Sequence, residues 1–243
     1  MPEERAHAMQ NLLADCHWDT TNTNNKRLLW NCDGWSSAQR SKAVQALLEQ
    51  ARTRGQLRGW RAEAFAFWHT GCRLPLPDQE AFLSVERSGF RHLGLMSHAV
   101  HINGFTKDGR LWCGRRAANK ATDPGRLDNV TAGGLPAGET VLACALRELQ
   151  EEAGLHLDAR VLANAGARRT TRAETEGWHD ETLLVFNLTL ADSVVPHNQD
   201  GEVQEFLCLT PKDVLRRVQN GEFTDDAAAS LAQGLGLQSE QIA

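Results

Sequence analysis

The 243-residue sequence predicts an α/β protein, an α/β/α sandwich preceded by a smaller α/β region. Two observations carry the expectation. From about residue 98 onward, short runs of alternating apolar and polar residues are separated by turn residues and flanked by helical patterns, and strands covered by helices make such a sandwich. Before about residue 93, one strong helical period is followed by a strand-like run and a proline-set turn, which is enough for a small unit of its own.

In chain order, Ser36 or Ser37 is placed to cap a helix that runs to about Arg54, with Val44, Leu47, Leu48 and Ala51 at core spacing and Gly55 as a stop. A strand is expected over Arg61 to Trp68, a turn over Leu74-Pro75-Leu76-Pro77-Asp78, and a further short element over Phe82 to Phe90. These place an N-terminal α/β region in 1–93 and the main domain in 94–243. There, His98 to Phe105, the turn Lys107-Asp108-Gly109 and Leu111 to Arg116 read as a hairpin. A strand follows over Leu127 to Ala132, then a helix over Thr140 to Ala153 that Gly154 ends. More strands are expected at Arg160 to Thr171, Glu181 to Leu190 and Glu202 to Leu209. Thr210 caps a helix with Pro211 at its first position and Val214, Leu215 and Val218 on one face, and Thr224 starts the last helix.

Composition narrows the function. A net charge of -5 with scattered basic residues leaves no footprint for a polyanion, so nucleic acid is excluded as a partner. The opening MPEERAHAMQ has no apolar core, and runs such as Leu183-Leu184-Val185-Phe186 are too short to span a bilayer. Six dispersed cysteines without a CxxC pair fit reduced, buried thiols. The expectation is a cytoplasmic protein with no membrane contact.

Chemistry gathers in the run Gly133-Gly134-Leu135-Pro136-Ala137-Gly138-Glu139 and the later Arg147-Glu148-Leu149-Gln150-Glu151-Glu152-Ala153-Gly154-Leu155. Glycines and a proline permit a tight turn, good helix formers follow, and Glu139 stands at the positive end of the helix dipole. On a helical wheel Leu142, Leu146, Leu149 and Ala153 form a stripe expected to face the sheet. Glu148, Glu151 and Glu152 gather on the side away from it, within roughly a third of the circumference. Like charges at that spacing repel, so a cation must offset them, and hard oxygen donors suit Mg²⁺ or Mn²⁺. The bland alternative is a solvated acidic face with Arg147 paired to Glu151.

The full pattern, G-x5-E-x7-R-E-U-x-E-E-x-G-U with U aliphatic, resembles that of the Nudix superfamily. The resemblance implies a mixed-sheet α/β/α fold, bound divalent metal and hydrolysis of a phosphoanhydride. It assigns Glu148, Glu151 and Glu152 as metal ligands and catalytic carboxylates, the Gly133 carbonyl as a further ligand, and Arg147 and Glu139 as a supporting pair. It also implies a carboxylate from a distant segment, for which Glu202 and Glu205 are the choices, with Glu202 preferred.

Outside that box, His98-Ala99-Val100-His101-Ile102-Asn103-Gly104-Phe105, Leu111-Trp112-Cys113-Gly114-Arg115-Arg116, Pro124-Gly125-Arg126-Leu127-Asp128-Asn129 and Asn198 to Phe206 resemble the thiamin pyrophosphokinase-related Nudix proteins, which carry an N-terminal domain of their own. Where that subgroup has an aromatic before Pro-Gly, this chain has Asp123. No GxxxxGK[ST] is present, so a pyrophosphokinase is not expected. The resemblance implies a diphosphatase acting on thiamin diphosphate or its oxidised or damaged analogues. His101, Asn103, Arg115, Arg116 and Lys120 are the candidate substrate contacts, since guanidinium and ammonium groups suit phosphate oxygens. For His101 and Asn103 the alternative is a buried hydrogen-bonding role, and for Lys120 a solvated one. Two other functions stay open: a general pyrophosphatase for ADP-ribose, a dinucleotide or a nucleotide sugar, and a sensor that holds a diphosphate ligand without cutting it. The expected partners are the small-molecule diphosphate and, in a homodimer, a second copy of the chain.

Overall fold

The structure, a computed structural model, describes residues 10, 13, 16–19, 27–69, 72–120 and 122–237. The chain divides into two compact units. The first comprises Met1–Ser97, Pro136–Gly138 and Thr171–Asp180; the second comprises His98–Leu135, Glu139–Thr170 and Glu181–Ala243.

In the first unit, β1 (Cys16–Asp19) and β2 (Arg27–Trp30) pair antiparallel, as do β3 (Ala64–Phe67) and β4 (Leu83–Glu86). Helix α1 (Ser37–Thr53) starts where the sequence places it. Ser36 accepts from the Gln39 N–H, and the Gln39 side chain returns a bond to the Ser36 N–H, so two otherwise orphaned donors are satisfied. Val44, Leu47, Leu48 and Ala51 are all buried, and Val44, Leu48 and Ala51 join Phe65, Phe67, Val85 and Phe90 in one core. Helix α2 (Ser88–Leu93) enters that core at Gly89, where a Cβ would lie 2.3 Å from Leu48 Cδ1. The expected strand over Arg61 to Trp68 is shorter, and the reason is Glu86. Its buried carboxylate accepts from the N–H groups of Arg61, Glu63 and Ser88, which draws Arg61 to Glu63 out of the ladder and holds Ala62 at φ +58°.

The second unit is built on a seven-stranded mixed sheet flanked by helices. Its strands are β5 (Ser97–Thr106), β6 (Leu111–Arg116), β7 (Leu127–Asp128), β8 (Thr131–Gly134), β9 (Leu162–Glu174), β10 (Gly177–Leu190) and β11 (Val203–Leu209). The spatial order is β11-β6-β5-β10-β9, with β7 added to β6 and β8 to β5. Successive residues of a strand face opposite ways, and β6 uses both sides. Leu111 and Cys113 enter a core with Leu127, Val214, Phe223, Ala227 and Leu231, contributed partly by α4 (Pro211–Gln219) and α5 (Asp225–Gly234). Trp112 packs instead on the core of Val100, Ile102, Cys144, Leu149 and Phe186 that α3 (Val141–Ala153) covers. Thr210 caps its helix as expected, and Thr140 and Thr224, expected as helix starts, cap theirs.

Two expectations change. The single strand over Leu127 to Ala132 is two strands, because the Asn129 carbonyl accepts from Gly114 of β6 at 3.1 Å while the next N–H, that of Val130, donates to Ile102 of β5 at 3.1 Å. The chain changes partner between those residues. Nor does the core stripe of α3 run through Leu142, which is 45% exposed; the buried face is Cys144, Ala145, Glu148, Leu149, Glu152 and Ala153. Small residues let the helix approach the sheet closely, and that turns two glutamates inward.

Behind the sheet, α5 closes on a buried amide cluster. Asn103 donates to Asn187 Oδ1 at 3.1 Å and to the Ser230 carbonyl at 3.3 Å, and Asn187 donates to the Gly234 carbonyl at 2.8 Å. A Cβ on Gly234 would stand 2.1 Å from Asn103 Nδ2. Gly234→Ala is therefore expected to lower stability by about 1–3 kcal/mol in urea unfolding, through overpacking against polar groups that cannot leave their partners. An unchanged midpoint would mean that the cluster yields freely.

Candidate active site

Helix α3 and the strand before it carry the acidic constellation. Thr140 accepts from the Ala143 N–H at 3.2 Å at the helix start, and Gly154 ends it at φ +65°. Arg147 gathers the carboxylates. Its Nε and Nη2 donate to the two oxygens of Glu139 at 3.0 and 2.8 Å, while Nη1 donates to Glu148 Oε1 at 2.7 Å and Glu151 Oε2 at 3.0 Å. One guanidinium thereby holds three carboxylates, a use of its planar fork that an ammonium cannot copy.

Glu148 is buried and lies directly over Gly133, where a Cβ would stand 2.0 Å from its carboxyl carbon. Only glycine leaves that space. Burial pushes the Glu148 carboxyl above its ordinary value, against the opposing charge of Arg147. Glu152, one turn on, is also buried; its Oε2 accepts from Thr131 Oγ1 at 2.6 Å and from the Ala132 N–H at 3.1 Å. Burial, followed by the charge of Glu148, pushes its carboxyl up to about 8. Glu151 is half-exposed, its side chain at 50%.

Facing Glu152 is a cavity of about 10 Å³, room for roughly one water, whose lining includes Arg116, Lys120, Asp128, Asn129, Glu152 and Glu202. The Lys120 ammonium pairs with Glu202. Arg116 donates to Asp128 Oδ2 at 2.8 Å and, through Nε and Nη2, to the Thr122 carbonyl at 3.2 and 3.0 Å. Arg115 and Glu205 do not line this cavity. They pair with each other at 2.6 Å, and Arg115 also donates to the Gly125 carbonyl at 3.0 Å. His101 and Asn103 are buried behind the cavity, joined through Asn129: Nδ1 of His101 is 2.7 Å from Asn129 Oδ1, and Asn129 Nδ2 donates to Asn103 Oδ1 at 2.6 Å.

The structure therefore brings Arg116, Lys120, Glu152 and Glu202 to one small cavity, sets Glu139, Arg147, Glu148 and Glu151 along the neighbouring helix, and leaves Arg115 aside. Thr131 and Asn129 had no role assigned from the sequence. The polar pair Asp128-Asn129, set inside a strand pattern between Leu127 and Val130, is the signal that marks the second of them. The donor set suits a hard divalent cation: carboxylates from α3, and a glycine cradle at Gly133 that a side chain would fill.

Residues 97–229 match the family described as the NUDIX domain. Nudix hydrolase 24, chloroplastic, of Arabidopsis thaliana is 32% identical over 198 residues, covering 79% of this chain and 52% of that protein. Nudix hydrolase 20, chloroplastic, of the same organism is 30% identical over 191 residues, covering 76% of this chain and 49% of that protein. The chain spans about half the length of these curated relatives. Among solved structures, that of DR0079 from Deinococcus radiodurans has the same fold, with a TM-score of 0.51 at 21% identity over 70% of this chain and 98% of the other.

Raised carboxyl values have a measurable sign. Glu152 keeps its proton to about 8 when folded and releases it near 4.5 when unfolded, so the folded state binds the extra proton between those values. Without divalent metal, stability is expected to fall as pH rises from about 5 to 8, by up to ~1.4 kcal/mol per pH unit. Glu152→Gln should flatten that slope in urea titrations with a chelator present. A wild-type slope of opposite sign would show Glu152 ionised in the fold.

Proposed function

Since the chain belongs to the Nudix family, we propose that it is a divalent-metal-dependent hydrolase of a phosphoanhydride in a small diphosphate metabolite. The observation that carries the reading is Arg147 holding Glu139, Glu148 and Glu151 beside a buried Glu152, with Glu148 seated over Gly133. Glu148, Glu151 and Glu152, with the Gly133 carbonyl and Glu202, would hold Mg²⁺ or Mn²⁺. Bound there, such an ion would neutralise diphosphate oxygens and lower the pKa of a water.

The residues of the chain do the rest. Arg147 orients Glu148, whose carboxylate takes the proton of the water that attacks phosphorus in line, as the bridging P–O bond breaks and the displaced phosphate group leaves. Glu139 fixes Arg147 at the helix entrance. Arg116 and Lys120 meet the phosphate oxygens, and Arg115 stands at the outer rim. His101 and Asn103 act on the substrate side through Asn129, whose amide they orient between them.

Within the class, the proposed substrate is thiamin diphosphate or an oxidised or damaged analogue, cut to the monophosphate. Support comes from the likeness of His98 to Phe105, Leu111 to Arg116 and Asn198 to Phe206 to the thiamin pyrophosphokinase-related Nudix proteins. The proposed setting is cytoplasmic and the proposed assembly a homodimer. Among the described residues no helix is long and apolar enough to cross a membrane.

Phosphate release with Mg²⁺ or Mn²⁺ across thiamin diphosphate, its oxo and oxy analogues, ADP-ribose, NADH and nucleotide sugars tests this. Thiamin-type diphosphates are expected to be preferred, and Glu148→Gln should lower turnover at least ~100-fold. Preference for ADP-ribose would replace the substrate and keep the hydrolase. No turnover on any of them, with diphosphates still binding, would indicate a sensor.

A further inference from the structure

Three basic residues of the second unit, Arg115, Arg116 and Lys120, could reach phosphate, and they differ in freedom. Each arginine is committed through both sides of its fork. Arg115 holds Glu205 and the Gly125 carbonyl, and Arg116 holds Asp128 and the Thr122 carbonyl. Lys120 is held by its side chain to Glu202 alone among the described residues, and its backbone N–H donates to the Ala117 carbonyl at 3.1 Å. Its ammonium is a compact charge on a four-carbon stem, able to change partner without moving the backbone.

The carboxylates around it differ in the same way. Asp128 has Arg116. Among the described residues Glu152 has only neutral donors, Thr131 and the Ala132 N–H. Glu202 has Lys120, whose side chain is 17% exposed. The field of Lys120 also reaches Glu152, drawing its carboxyl down from where burial alone would put it, and the charge of Glu202 reaches Glu148. The ammonium thus sits among the carboxylates assigned to metal. Closely spaced carboxylates in a confined, partly desolvated pocket need a cation, and without metal Lys120 supplies one.

We propose that Lys120 is the resident counter-cation of Glu202 and Glu152, displaced from Glu202 when a divalent ion loads and thereby released to bind a phosphate oxygen. The inference rests on the hydrolase reading and adds an order to it. Metal binds first and diphosphate second, because until the exchange the ammonium is engaged by Glu202. It also makes Lys120 a competitor of the metal and an ally of the substrate, a pair of opposite effects that a merely solvated lysine or a structural clamp would not show.

The test is calorimetric titration of Mn²⁺ into the metal-free full chain, then of methylenediphosphonate, which cannot be hydrolysed, into the Mn²⁺-loaded protein. Lys120→Met is expected to bind Mn²⁺ about tenfold tighter than the wild type, and methylenediphosphonate about tenfold weaker. Lys120→Arg, which keeps the charge, should bind Mn²⁺ no tighter than the wild type. Equal or weaker Mn²⁺ binding by Lys120→Met overturns the exchange while leaving the hydrolase reading intact. Absence of Mn²⁺ binding in the wild type as well would sink the hydrolase reading and the exchange together. Should Lys120→Met not fold, Glu202→Gln tests the same idea from the other side. Metal-free Glu202→Gln should bind methylenediphosphonate several-fold tighter than the metal-free wild type, and unchanged binding overturns the proposal.

Discussion

One guanidinium makes the acidic helix possible. Glu139, Glu148 and Glu151 lie within reach of one another, and Glu148 and Glu152 face inward, so α3 carries more negative charge on its working side than helix propensity or packing would choose. Arg147 offsets it by donating to three carboxylates at once. Its charge does not titrate in any accessible range, and the bonds it donates to Glu139 raise its pKa further. Carboxylates held in this way have their positions set by the chain itself, which is what a pre-organised site requires.

The second constraint is closeness. Glu148 fits only because Gly133 has no side chain, and α3 lies near β8 only because Cys144 and Ala145 are small. Burial raises the Glu148 and Glu152 carboxyls, and the same burial gives hydrogen bonds and charges there more weight than at a surface. A comparable device works in the first unit. Glu86, buried, accepts from three backbone N–H groups and holds Ala62 in a left-handed conformation. In both places a carboxylate inside the fold organises the backbone around it.

Behind the cavity, His101, Asn129, Asn103, Asn187 and Ser230 form one connected set of side chains linking β5 and β10 to α5. Each amide spends its donors on a neighbour, so the orientation of Asn129 at the cavity wall follows from residues that never reach it. Substitutions in α5 should therefore be felt at the site through hydrogen bonds rather than through contact.

The sequence alone determined what depends on short-range pattern: helix caps at Ser36 and Thr210, helix starts at Thr140 and Thr224, the core face of α1, and the box with its metal-competent acids, because caps and periodicity act within a few residues. Tertiary structure decided what depends on approach between distant segments. Leu142 faces out and Glu148 and Glu152 face in because α3 packs through its small residues, and Leu127 to Ala132 splits because two different strands compete for its backbone groups. The division of Glu202 to the cavity and Glu205 to Arg115 follows from where β11 ends against β6, a register no periodicity could place, since it is set by hydrogen bonds between residues some 90 positions apart.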